Sequence, residues 1–210
     1  MSPRKFSQTG FSLIELLTVM AIISILASFS VSAISGIGKA GQMNAGLSVL
    51  SGMAERARQQ AITQNTYVWM AWSEPDAEGC SVVLLESKTG GDSLGWTQDP
   101  VTLSANPDVQ IVGKREYLRG IKLLGAGAVS LPGVPDAGAA SASEVDWVGS
   151  PAGNLVRAVQ FAPTGEARVR TSARMIELGI QFLQGGETSA NTALLRLAGA
   201  TGKANLFRPQ

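Results

Sequence analysis

"TGFSLIELLTVMAIISILASFS", residues 9–30, is an apolar run of membrane-spanning length that carries one carboxylate, Glu15, close to its start. Residues 11–34 supply 24 positions whose only charge is Glu15. As a helix they rise about 36 Å, enough for a hydrocarbon core of about 30 Å. A charge in such a helix costs about 2.5–3.5 kcal/mol at the bilayer centre and less nearer the interface, so a carboxylate kept there calls for a partner. The preceding "MSPRKFSQTG", residues 1–10, holds Arg4 and Lys5 and no acid. That basic head favours a cytoplasmic N-terminus with the rest of the chain outside. A secretory signal peptide has a similar head, but its apolar core is about 7–15 residues and its small-residue cleavage site follows the core. Here the small residue, Gly10, precedes the run. A cut between Gly10 and Phe11 would remove the basic head and leave the apolar helix on the mature chain.

Composition narrows the chemistry open to the remaining residues. The 210-residue chain is 45% hydrophobic and 16% charged, against roughly 25% charged in an average soluble protein. Its 17 Lys+Arg against 16 Asp+Glu leave no global field that would point to nucleic acid or an acidic surface. It has no histidine and one cysteine, Cys80. Imidazole acid/base catalysis, Cys/His zinc clusters, Ser–His–Asp triads and intramolecular disulfides are therefore excluded. Cys80 reads as a small buried apolar residue beside the strand expected at 81–86. The chain is read as a non-enzyme without cofactor.

The octapeptide "GFSLIELL", residues 10–17, closely resembles the prepilin cleavage motif of type IV pilins and type II secretion pseudopilins. The resemblance implies that a membrane-embedded prepilin peptidase cuts after Gly10 and methylates the new N-terminal residue, Phe11, with Glu15 acting in assembly. Physics fits that role. Glu15 lies four residues after Phe11, one helical turn along, so its carboxylate can approach the α-amino group that cleavage creates on a neighbouring subunit. Two unit charges about 4 Å apart attract by about 4 kcal/mol at an effective dielectric near 20, which offsets desolvation of the pair. The positive end of its own helix macrodipole supports the anion as well.

Beyond the apolar run, "SGIGKAGQMNAG", residues 35–46, contains four glycines. Gly36, Gly38 and Gly41 spell GxGxxG, but a dinucleotide fingerprint needs a preceding strand and an acid about 20 residues on. Here a membrane helix precedes them, and the next acid is Glu55. The stretch reads instead as a hinge, because glycine costs about 1 kcal/mol per helical position. Leu47, Leu50, Ala54, Ala57 and Ala61 then recur at steps of three or four, flanked by Met53 and Ile62, and predict an amphipathic helix whose small-residue face packs on a sheet.

Strands are expected at 66–72, 81–86, 109–112, 155–161, 175–183 and 193–198, separated by turns such as "EPDAEG", "KTGGDSLG" and "APTGE". The expected organisation is a leader at 1–10, a transmembrane helix at 11–35, a glycine-rich hinge at 36–46, an amphipathic helix at 47–64, and a β-rich head at 65–210. Within the head, residues 124–150 are rich in Gly, Ala, Ser and Pro and read as a long loop. The fold class is α+β, a long N-terminal helix packed on an antiparallel sheet, which the resemblance would make pilin-like. Residues 54–72, "AVQFAPTGEARV" at 158–169 and "LLRLAGATGKANLFRP" at 194–209 resemble the minor pseudopilin group typified by GspH and FimT. The ending also resembles Verru_Chthon cassette proteins, type D.

Two further clusters carry candidate chemistry. Glu74, Asp76 and Glu78 offer oxygen ligands for calcium, but they follow no recognised spacing, and a solvated turn is the simpler reading. Arg157, Arg168, Arg170 and Arg174 form the one candidate basic face for nucleic acid, set against a solvated sheet face. The resemblance implies a bacterial inner-membrane location, single-pass with a periplasmic head, followed by incorporation into a pilus or pseudopilus. The implied partners are prepilin peptidase, other pilin or pseudopilin subunits and, indirectly, an inner-membrane platform and assembly ATPase. The rival readings are a DNA-binding minor pilin of an uptake system and an uncleaved membrane-anchored binding domain.

Overall fold

The computed structural model describes residues 12–92, 101–102, 108–135, 138–150, 153–170, 173–184 and 187–208, and within these the side chains outside 29–40, 101–102, 145–150, 153 and 184. The chain divides after Gly41 into two compact units.

Helix α1 is Leu13–Gln64. In the first unit its described large apolar side chains, Leu13 to Leu26, are all exposed, from 49% at Val19 to 79% at Leu13. No one face is set aside for a core, the pattern of a helix made for apolar surroundings on every side. Its hydroxyls are turned back on its own carbonyls: Thr18 Oγ1 donates to Ile14 O at 2.6 Å, Ser24 Oγ to Met20 O at 2.8 Å and Ser28 Oγ to Ile25 O at 2.7 Å. Among the described residues, no helix is long and apolar enough to cross a membrane. Phe11 and the side chains of 29–35, parts of the span expected at 11–35, lie outside the described residues. The stretch 36–46, expected as a hinge, has helical backbone within α1. Gly46 has a packing reason to be glycine, since the buried Ile121 side chain occupies the space its Cβ would need.

In the second unit the expected stripe is the buried face of the helix. Leu47, Leu50, Ala54, Ala57 and Ala61 are fully buried, and Met53 nearly so, while Ile62 is exposed. The helix ends in a Schellman motif: Thr66 N donates to Ala61 O and Asn65 N to Ile62 O, with Asn65 in the left-handed region at φ 49°.

Eleven strands are described: β1 (Val68–Ser73), β2 (Gly79–Ser87), β3 (Val101–Thr102), β4 (Val109–Arg119), β5 (Ile121–Leu124), β6 (Ser143–Ser150), β7 (Gly153–Phe161), β8 (Ala167–Arg168), β9 (Met175–Gln184), β10 (Glu187–Ala198) and β11 (Ala204–Phe207). The expected antiparallel sheet is resolved into two. One has the order β3-β6-β7-β1-β2-β4 with β8 on β7, the other β11-β10-β9-β5, and β3–β6 is the one parallel pair among these. The sheets meet at Gly120, whose φ of 67° suits glycine. Its N–H donates to Glu78 O and its carbonyl accepts from Leu183 N, so one residue ties the end of β4 in the first sheet to β9 in the second. Strand β4 outruns the expected 109–112 because it is an edge strand, which can carry Lys114, Arg115 and Glu116 without burying them. The loop expected at 124–150 is corrected at its end, where 143–150 is strand β6.

A single core joins these layers. Helix residues Leu50 and Ala57 share it with Met70, Trp72 and Leu84 of the first sheet and with Ile176, Ile180 and Leu195 of the second. The opposite face of the first sheet is apolar as well, with Trp69, Val83, Leu85 and Leu155 clustered there. That explains why β1 lacks the alternation of a one-sided strand.

Candidate functional site

Of the predicted processing and assembly residues, Glu15 is described, whereas Gly10 and Phe11 lie outside the described residues. Ser12 and Glu15 form a reciprocal capping box. Ser12 Oγ accepts from Glu15 N at 3.3 Å, and Glu15 Oε2 accepts from Ser12 N at 3.2 Å and from Ser12 Oγ at 3.3 Å. Two helix-start donors that lack intrahelical partners are satisfied in this way. The carboxylate is drawn back toward the chain start, and among the described residues the bonds it accepts all run to Oε2. The contribution of Ser12 was missed at the sequence level, although S-x-x-E ahead of an apolar run is its signature. Together with the three back-bonded hydroxyls, the box leaves each polar side chain from 12 to 28 satisfied inside its own helix.

The acidic loop between β1 and β2 is organised around one oxygen. Asp76 Oδ1 accepts from Glu78 N and Gly79 N, both at 2.8 Å, and from the Tyr117 hydroxyl at 2.7 Å. The Tyr117 bond, followed by the two backbone bonds, holds the Asp76 carboxyl below its ordinary pKa. Desolvation and then the bond to Asp76 push the Tyr117 hydroxyl up to about 12. Among the described residues, no group of three or more acidic or cysteine side chains is disposed to hold a metal ion. Glu74, Asp76 and Glu78 therefore share a loop without converging. Cys80, beside this loop, is buried, and desolvation raises its thiol to about 12, leaving it almost wholly protonated at neutral pH.

The four arginines do not form one face. Arg168 and Arg170 line a concavity of about 460 Å³ together with Asp92 and Glu166. Arg168 donates Nε to Glu166 Oε2 at 3.0 Å, and that bond is the main reason its pKa is raised. Arg157 lies elsewhere, its Nη1 3.1 Å from the position a Cβ on Gly125 would take, and Arg174 is not among the residues lining the concavity.

An apolar helix with a capped acidic start, in a chain whose head is helix on antiparallel sheet, describes the pilin-like architecture. Residues 5–31 match the prokaryotic N-terminal methylation motif, the prepilin-type signal of type IV pilins and pseudopilins. That signal supports a pilin- or pseudopilin-like subunit and implies a membrane-anchored chain, processing by prepilin peptidase and assembly with other pilin subunits. Comparison with curated proteins and with solved structures gives no match.

Proposed function

We propose that this chain is a minor subunit of a type II secretion pseudopilus or a type IV pilus. In this reading residues 11–35 hold it in the inner membrane with the head in the periplasm, after cleavage between Gly10 and Phe11 and methylation of Phe11. The methylation motif at residues 5–31 carries the proposal. The resemblance of residues 54–72, 158–169 and 194–209 to the GspH/FimT group is what supports placement near it.

The mechanism is structural. Helix α1 stores the subunit in lipid, and extraction into the fibre buries the same apolar circumference among neighbouring helices. The capping box gives Glu15 a defined place at the helix start, with Oε1 available to the α-amino group of Phe11 on an adjacent subunit. That ion pair sets axial register. Bending at the glycine-rich stretch 36–46 would let the head adjust as the helix leaves the bilayer. The work of extraction comes from the platform and ATPase.

N-terminal mass spectrometry of membrane-extracted protein tests the class: the expected chain begins at methylated Phe11, and a functioning chain that retains its leader overturns the reading. Glu15→Ala is expected to be processed normally yet to stay out of the fibre. Ser12→Ala should lose about 1 kcal/mol of helix-start stability and enter the fibre less efficiently than wild type. Full incorporation of both variants would remove the ion pair from the mechanism.

A further inference from the structure

Two adjoining concavities, of about 220 and 250 Å³, run along one side of the helix segment from Gln42 to Arg56, between it and edge strand β4, and share Val49 and Glu116. The exposed large hydrophobic residues among the described positions of the second unit are Val49, Ile62 and Tyr117, and two of the three line this groove. Its charges are unevenly placed. At one end the Arg56 guanidinium lies over Gly113, with Nη2 2.9 Å from the position of a Cβ there, beside exposed Lys114. Neither Arg56 nor Lys114 has an ion-pair partner among the described residues. At the other end Arg119 is the register partner of Gly79, next to exposed Glu78. Glu116 faces the groove between the two ends.

The acidic loop with Glu74, Asp76 and Glu78 sits at the Arg119 end, fixed by Tyr117 and by the bond from Gly120 N to Glu78 O. Lys114 is five residues from Arg119 along β4, roughly 17 Å at strand rise. The loop therefore lies too far from the Arg56–Lys114 end of its own groove to reach it. A second copy shifted along the groove can. We propose that the Arg56–Lys114 end of the groove receives the acidic β1–β2 loop of a second copy of this chain in a head-to-tail contact.

Each copy then offers its groove to one neighbour and its loop to another, so the contact is heterologous. Glu116 disfavours an acidic segment in the middle of the groove and directs it to the basic end. The exposed charges make the contact weaken with salt. The proposal deepens the fibre-subunit reading and rests on it for the head-to-tail growth.

The test uses full-length chain in membranes, with Ala77→Cys in one pool and Gly52→Cys in another. Ala77 is exposed in the loop, and Gly52 lines the groove with open space around its Cβ position. Both changes leave every charge in place, and the buried Cys80 thiol stays unreactive. A short bis-maleimide should cross-link the mixed pools at least tenfold more than either pool alone. Arg56→Glu with Lys114→Glu in the Gly52→Cys copy should abolish the product, and Glu74→Lys with Glu78→Lys in the Ala77→Cys copy should restore it. No product, equal products in the single pools, or failure of the reciprocal reversal would each overturn the contact. The N-terminus is read on the same samples. Processed Phe11 without cross-linking removes this contact and leaves the subunit reading standing, whereas an intact leader removes the subunit reading whatever the cross-links show.

Discussion

Asp76 concentrates three hydrogen bonds on one carboxylate oxygen, and all three favour the ionised form. Its pKa in the folded chain is depressed below 3.8, so its stabilisation of the loop is fully present above that value and drains away as pH falls through the lower one. Tyr117 runs the opposite way. Its hydroxyl, raised to about 12, keeps its bond to Asp76 below pH 10 and loses it as pH rises through 12. Asp76→Asn should lower the tyrosine midpoint in an ultraviolet titration and remove the Asp76 contribution to the acid limb of thermal stability. An unchanged Tyr117 midpoint would show that desolvation alone sets the shift. The Ser12–Glu15 box is local in the same way: "SLIE" at 12–15 spells it in the sequence, and Glu15 is a lone charge only when its serine partner is left out.

At the scale of elements, β9 and β10 set Glu177 opposite Arg196, and the pair is almost completely buried. Arg196 Nε donates to Glu177 Oε2 at 2.7 Å, Arg196 Nη2 to Pro135 O at 2.9 Å, and Gly127 N to Glu177 Oε1 at 3.1 Å. The guanidinium also lies 5.4 Å from the Phe207 ring centroid. One ion pair thus ties the β5–β6 connection to the second sheet, where Val129 and Leu131 are buried against Leu194. Arg196→Met should cost about 3–5 kcal/mol, because it leaves a buried carboxylate unpaired, and Glu177→Leu added to it should recover most of that loss. Denaturant unfolding of wild type and the two variants measures both steps; a cost below about 1 kcal/mol for Arg196→Met would show that the pair does not hold the connection. This connection also shows where the sequence stops being legible. Composition marked 124–150 as loop because Gly, Ala, Ser and Pro predict no regular element, and it gave no sign that two charges 50 and 61 residues from their partners would clamp it. The expected strand cores were readable because β-branched and aliphatic runs are a local signal. The split into two sheets was not, because it depends on one glycine's backbone angle and on pairings distant in sequence.

At the scale of the molecule, the two units make different demands on their surroundings. Between residues 12 and 28 the first exposes large apolar side chains and satisfies its polar side chains internally. The second carries its own core, which draws on α1 from Leu47 onward with Met43 packed against it. The expectation of a membrane half and an amphipathic half came from hydropathy and a period near 3.6, which survive any rearrangement of the head, and the buried stripe from Leu47 to Ala61 follows that period. A fragment beginning at Gln42 keeps Met43 and the bond from Arg208 Nη1 to Asn44 Oδ1 at 2.7 Å. It should fold without detergent and unfold in one cooperative transition, since the buried residues of its helix share one core with both sheets. A fragment beginning at Leu47 loses both contacts and the last support for the helix start, and should be about 1–2 kcal/mol less stable. Far-UV circular dichroism through thermal and urea unfolding compares the two. Aggregation or a non-cooperative transition of the longer fragment would mean that the head depends on the first unit for its fold, and equal stability of the two fragments would mean that the core ends at Leu47.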